Sequence, residues 1–309
     1  MVECFKIQLL QLPLESNVLD LEKGKNILSI PCLKPFFKLN PTIIEADPFL
    51  FVHNEKLYLF YESKPWHSPG VIKMINSKDL VNWSKPLVVL QEPFHLSFPW
   101  VFEDGGKIYM IPETSGDNSV RLYEALKNDL SEFKFSKKLI TDEYPERWKT
   151  SYCDTAIIKK DGIYYLLTTR RNKTGVNTLE LYMSEELNGE YKVHPKSPLY
   201  ADNKTGRNAG SIMHINGELF RYSQDCTRRY GDNVHVIRIN TLTPSEYSEE
   251  VLKEQIIPTS MDYYKDGGHQ YNAVRFKNHW IVATDAKEYH KLSFHRIINK
   301  LWRQVDCKY

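Results

Sequence analysis

One strand–turn–strand pattern recurs five times along this chain of 309 residues, and that recurrence limits the fold more than any other feature. The first three copies are FLFVHNEKLYLFYE from Phe49 to Glu62, WVFEDGGKIYMIPE from Trp100 to Glu113, and AIIKKDGIYYLLTT from Ala156 to Thr169. The last two are SIMHINGELFRYSQ from Ser211 to Gln224 and NAVRFKNHWIVATD from Asn272 to Asp285. Each copy joins a short apolar strand to one rich in Tyr, Leu, Ile and Phe through a polar turn, usually with Asn, Asp or Gly. This is the pattern of a tight β-hairpin.

The copies start 51, 56, 55 and 61 residues apart, and most are followed by a further strand pair, such as VIKMINSKDLVNWSKPLVVL after the first. Antiparallel repeats of this length with four strands each are the mark of propeller blades. The expected fold is all-β: a five-bladed β-propeller over residues 41–309, with four-stranded antiparallel blades around a central channel. The blades start near residues 47, 98, 154, 209 and 270. Residues 1–40 match no repeat; FKIQLLQL within them is a candidate for the strand that closes the ring, which the sequence alone leaves open. A division into two β-domains is the competing architecture. No long segment of helical period interrupts the strands, so helix content is expected to be low.

Composition agrees. The chain is 41% hydrophobic and 13% aromatic, with 19 Tyr and 14 Phe, which suits strands. Its 41 Lys and Arg against 39 Asp and Glu give no electrostatic reason to expect a nucleic acid or an anionic membrane as partner. The five cysteines, Cys4, Cys32, Cys153, Cys226 and Cys307, are odd in number and show no zinc-knuckle or redox spacing. They read as reduced thiols. The N-terminus lacks a signal-peptide pattern and no stretch reaches the length of a membrane span, so a cytoplasmic location is the default expectation. Neither a cofactor motif nor a diagnostic metal-site spacing is present.

In a propeller the residues just before each inner strand reach the mouth of the channel, and here they are unusually polar. They are Glu45-Ala46-Asp47-Pro48, His95-Leu96-Ser97-Phe98-Pro99, Ser151-Tyr152-Cys153-Asp154-Thr155, Gly206-Arg207-Asn208-Ala209-Gly210 and Asp266-Gly267-Gly268-His269-Gln270. Carboxylates, an Arg, an Asn and a His from different repeats should therefore converge on one end of one axis.

Ala46-Asp47-Pro48 with its hairpin resembles the first blade of the five-bladed glycosidases of the glycoside hydrolase 43-like superfamily: the arabinanase, xylosidase and levansucrase-like enzymes. The resemblance implies that Asp47 is a catalytic base or nucleophile. Cys153-Asp154-Thr155 similarly resembles their third-blade opening, which implies that Asp154 orients the acid and tunes its pKa. SFPWVFEDGGKIYMIPETS, the DTAII hairpin and GHQYNAV resemble more closely the N-terminal propeller domain of glucosamine inositolphosphorylceramide transferases and its relatives in bacterial surface-polysaccharide clusters. This resemblance covers roughly residues 40 to 290.

Hydrolysis of a glycosidic bond needs one carboxyl group that holds a proton and one that stays ionised. The glycosidases carry their acid, a Glu, in the fourth blade, where this chain has Asn208, which cannot donate a proton to a leaving group. Glu113 and His269 are the candidate replacements. Alternatively a phosphate-activated donor needs no acid, and Arg207 would suit its phosphate. Arg207, Asn208, Trp100, Trp148 and Asp225 are the candidate substrate-binding residues; for Arg207 and Asn208 the rival role is stapling neighbouring blades, and for Trp100 it is core packing. The expected function is a carbohydrate-active enzyme of surface-polysaccharide metabolism, acting on a sugar or polysaccharide by glycosyl transfer or hydrolysis. The alternative is a non-catalytic carbohydrate-binding module serving a partner glycosyltransferase.

Overall fold

The computed structural model describes residues 1–32 and 40–290. Cys307 and the predicted end of the propeller, 291–309, lie outside these residues. In chain order the strands begin with β1 (Val2–Pro13), β2 (Lys25–Ile30), β3 (Thr42–His53), β4 (Lys56–Pro65), β5 (Val71–Ser77) and β6 (Leu87–Leu90). The second repeat supplies β7 (Ser97–Asp104), β8 (Lys107–Glu113), β9 (Ser119–Ala125) and β10 (Phe133–Thr141). The third supplies β11 (Thr150–Lys160), β12 (Ile163–Arg171), β13 (Asn177–Ser184), β14 (Lys192–Val193) and β15 (Tyr200–Ala201). The chain continues with β16 (Met213–Ile215), β17 (Glu218–Asp225), β18 (Asn233–Leu242), β19 (Tyr247–Lys253), β20 (Tyr271–Phe276) and β21 (His279–His290). Among the described residues the only helical pieces are single 3₁₀ turns, and no helix is long and apolar enough to cross a membrane.

The hairpins form where the sequence places them, because their turns hold residues that accept positive φ. Both loop residues have positive φ in Asn54-Glu55, Gly105-Gly106, Asp161-Gly162 and Asn216-Gly217. A two-residue loop of this kind matches the right-handed twist of the strands it joins.

Three sheets are local: β7–β10, β11–β15 and β16–β19. The remaining sheet has eight strands and is assembled from both ends of the chain. β1 runs antiparallel to β21 over the whole register from Val2↔His290 to Pro13↔His279, and β2 pairs with the other side of β1. A single parallel pair, Phe5↔Ile44, connects this group to β3, β4, β5 and β6.

The core is divided among the gaps between successive sheets. One apolar cluster, with Phe60, Met74, Met110 and Tyr123, lies between β4–β6 and β8–β10. A larger one, with Trp100, Leu122, Leu166, Leu181 and Ile239, joins the second, third and fourth repeats. Tyr222, Val236, Tyr271 and Val282 join the fourth repeat to the fifth, and Ile7, Leu59, Ile281 and Ala283 join the fifth to the first. Every hairpin therefore buries both faces, which an isolated hairpin cannot do.

At the joint between the fourth and fifth repeats the backbones touch directly: the Tyr271 N–H donates to the Ala209 carbonyl at 2.8 Å. A Cβ on Gly210 would lie 1.9 Å from the Tyr271 carbonyl oxygen, whereas one on Gly217 would meet nothing within 4 Å. Gly210→Ala is therefore expected to destabilise by roughly 3 kcal/mol or more. Gly217→Ala, which suffers only from its positive φ, should cost about 1 kcal/mol. Equilibrium denaturation of the two variants checks the contrast.

Candidate functional site

The inner strands of the first three repeats bend in the same way near their leading ends. Register shifts mark bulges between Ala46 and Phe49 in β3, Ser97 and Trp100 in β7, and Cys153 and Ala156 in β11. Inside these bulges Asp47, Phe98 and Asp154 have φ of 49°, 47° and 50°. Aspartate tolerates the left-handed region, but phenylalanine is strained there, so the surroundings must hold it.

Carboxylates do the holding. Asp47 Oδ2 accepts the Phe98 N–H at 3.1 Å. Asp285 Oδ2 accepts the Asp47 N–H at 3.3 Å, and its Oδ1 accepts the N–H groups of His269 at 2.8 Å and Gln270 at 3.1 Å. The His269 ring stacks on Phe5 with centroids 4.4 Å apart and meets Tyr230 edge-on. Its Nδ1 lies 2.6 Å from Asp285 Oδ2 and 3.7 Å from Asp47 Oδ1. The shorter contact is ionic and off the line of a hydrogen bond. On the opposite side Arg207 Nε donates to Asp154 Oδ2, and Arg207 Nη2 lies 3.9 Å from Glu113 Oε2.

These groups surround a cavity of about 160 Å³, lined by Asp47, Glu62, His95, Ser97, Glu113, Arg207, Tyr230 and His269, with Glu3, Phe5 and Ile44 completing the wall. The structure thus brings Asp47, Glu113, Arg207 and His269 together, with Asp154 directly behind Arg207. It does not bring the other candidates there. Asn208 is buried as a staple, donating to the carbonyls of Asp154 at 2.8 Å and Leu167 at 3.1 Å. Trp100 packs in the core against Phe49. Trp148 lies under the Arg170 guanidinium. The Asp225 carboxylate is turned into its own loop, accepting from the Thr227 N–H at 3.0 Å and hydroxyl at 2.6 Å.

His95 belongs to a segment expected at the channel mouth but is given no role there, and Glu62, Tyr230 and Asp285 are site residues that the sequence reasoning does not single out. Two of them carry a signal: Glu62 and Asp285 end the first and fifth hairpins. The final positions of all five hairpins are Glu62, Glu113, Thr169, Gln224 and Asp285, and all five are buried polar residues. A polar residue recurring at the end of an apolar strand is what points inward.

Burial dominates the electrostatics. It pushes the Asp47 carboxyl up to about 7, against the pull of His269 and with the added push of Asp154 and Asp285. It likewise pushes Asp154 up to about 7, with Arg207 opposing and Glu113 adding. Burial and the nearby charges of Asp47 and Glu113 hold Glu62 well above the usual carboxylate range. For His269 burial works against the charged form, but Asp285 and Asp47 outweigh it and raise the pKa. Burial and Lys64 lower His95 to about 4, so its ring, 3.4 Å from Glu62 Oε1, is neutral at physiological pH. Two sets of metal-ligating atoms gather within 4.8 Å, Asp47 with His269 and Asp285, and Glu113 with Cys153 and Asp154. The Asp47, Asp154 and Asp285 carboxylates in these sets already serve N–H donors.

An upward shift of a carboxyl group means that the folded chain holds its proton more tightly than the unfolded chain. The associated stability is complete below the unfolded value, 3.8 for Asp47, and is lost as pH rises through the folded value of about 7. Relative to wild type, Asp47→Asn should therefore gain a few degrees in Tm between about pH 4 and pH 8. Calorimetry at several pH values measures this. A Tm difference that stays constant with pH would contradict the buried, proton-holding Asp47.

Comparison with known proteins gives the same fold. A family 117 glycoside hydrolase from Zobellia galactanivorans superposes with a TM-score of 0.56 at 13% identity, covering 82% of this chain and 91% of that one. A family 43 glycoside hydrolase from Bacillus licheniformis, in a mutant form, gives a TM-score of 0.51 at 20% identity, covering 67% and 43%. The fold is that of the glycoside hydrolase 43-like propellers. In sequence, glucosamine inositolphosphorylceramide transferase 1 of Arabidopsis thaliana is 34% identical over 242 residues, covering 76% of this chain. The chain spans only 30–36% of the length of the curated relatives it matches. The profile of the N-terminal region of glucosamine inositolphosphorylceramide transferase 1 matches residues 29–291, and the chain belongs to that family.

Proposed function

We propose that the sheets form five blades around one axis and that the cavity among their inner ends is a carbohydrate site acting on a glycosidic or glycosyl-phosphate bond. The eight-stranded sheet divides at its one parallel pair into a first blade, β3–β6, and a fifth, β20, β21, β1 and β2. Apolar clusters between successive repeats, including the fifth and first, support closure.

The observation that carries the chemical reading is the presence of Asp47 and Glu62 in one cavity, both with pKa values raised by burial. Glu62, whose carboxyl burial holds well above the usual range, supplies the acid that Asn208 cannot. Asp47, with its value near 7, acts as the base that takes a proton from water or an acceptor hydroxyl, which is where a general base is effective. Asp154 neutralises Arg207 and so sets the charge beside Glu113. With Arg207 paired to Asp154 and His269 to Asp285, the cations of the cavity already have carboxylate partners, which favours a neutral or amino sugar over a phosphate. The glucosamine in the relatives' name agrees with that preference. Surface-polysaccharide metabolism and a cytoplasmic location remain the proposed setting.

A second reading, a binding module that serves a partner glycosyltransferase, has its own support. Asp47 and Asp154 both bond to neighbouring repeats, as staples do. Incubation with nitrophenyl glycosides, oligosaccharides and nucleotide sugars separates the two. The enzyme reading expects turnover that falls about a hundredfold or more in Asp47→Asn and Glu62→Gln, with folding retained. Calorimetrically measured saccharide binding without product would transfer the assignment to the module, and neither binding nor product would remove both.

A further inference from the structure

A second cluster of reactive side chains lies away from the cavity, where the two ends of the described chain meet. In the β1–β21 ladder Cys4 stands opposite Glu288, and Val2 opposite His290. Directly paired residues share a face of an antiparallel sheet and alternate residues return to it, so Cys4, Glu288 and His290 project on the same side. Cys32 arrives there just beyond β2. Cys4 and Cys32 are both buried, in an apolar shell with Ile43, Val2, Ile44 and Trp66.

The Sγ atoms of Cys4 and Cys32 and a ring nitrogen of His290 lie within 4.8 Å of one another. Glu288 fixes two of these three groups: its Oε1 accepts from Cys32 Sγ at 2.8 Å and lies 2.7 Å from His290 Nε2. Its Oε2 is held by Lys6 at 3.0 Å. Two buried thiols with a partly exposed imidazole and carboxylate form a soft donor set of the kind that takes zinc in preference to magnesium or calcium. Ligand atoms around tetrahedral zinc stand about 3.5 Å apart, close to the observed spacing of within 4.8 Å. A Cys4–Cys32 disulfide, the competing use of these thiols, has no need of the imidazole or of the carboxylate that orients it.

We propose that Cys4, Cys32 and His290 bind a structural zinc ion, with Glu288 or a water in the fourth position. The ion ties together the N-terminal strand, the segment that leaves β2 and the end of β21. These are three pieces of chain far apart in sequence whose pairing builds the last sheet. Zinc binding releases the thiol protons to solvent and involves no redox change. Its free energy adds to that of folding.

The test uses the full 309-residue chain, free of any histidine tag, purified under reducing conditions, exposed to zinc and desalted. Elemental analysis should find about one zinc per chain. Cys4→Ser and Cys32→Ser should each lower the retained zinc at least about tenfold. Cys226→Ser, in the loop after β17, should leave it unchanged. Cobalt loading of the wild-type chain should give thiolate-to-metal charge-transfer absorption, and this decides the matter should a serine variant fail to fold. Less than about a tenth of an equivalent in wild type, zinc retained by both serine variants, or cobalt without thiolate absorption would overturn the proposal.

Discussion

The Asp285 carboxylate gathers three backbone N–H groups, those of His269, Gln270 and Asp47, and so ties the beginning of the last repeat to the beginning of the first. Asp47 does the same one repeat further on, for Phe98. Hydrogen bonds made in a dry interior are stronger than the same bonds in water. They keep the bulges in the positive-φ conformation that Phe98 would otherwise leave, and this aims the side chains of successive repeats at one volume. The burial that strengthens these bonds also pushes the carboxyl groups toward neutrality. Asp47 thus both organises the inner ends of the sheets and holds its proton unusually tightly.

A second polar residue is held in place in the same way. At the opening of the fourth repeat stands Asn208, whose amide bridges two carbonyls of the third repeat. An amide suits that bridge, because its two N–H bonds donate to two carbonyl oxygens, which an ionised glutamate cannot do. On the second strand of the first repeat burial holds the Glu62 carboxyl well above the usual range. It faces the same cavity as Asp47.

Much of the fold was legible because it is local. Each hairpin announces itself through turn residues that accept positive φ and through strands that end in a polar residue. What lay beyond reach is long-range: β1 must find β21 across almost the whole chain, and nothing in VECFKIQLLQLP names its partner. The site was half legible for the same reason. Asp47, Glu113, Arg207 and His269 occupy equivalent ends of local repeats and converge as expected. Trp100 and Asp225 do not, because the apolar gap between sheets claims the indole and a tight loop claims the carboxylate. Tyr230 reaches the wall from the loop between β17 and β18, where its ring meets both Arg207 and His269.

The central claim is that one buried cavity holds carboxyl groups that keep their protons near neutral pH. Carbon-13 NMR titration of the side-chain carboxyl groups of Asp47 and Glu62, assigned through Asn and Gln variants, measures this directly. The account predicts that Asp47 titrates near 7 and that Glu62 titrates far above its ordinary value of 4.5. Ordinary carboxylate titration of both residues, near 4, would contradict it.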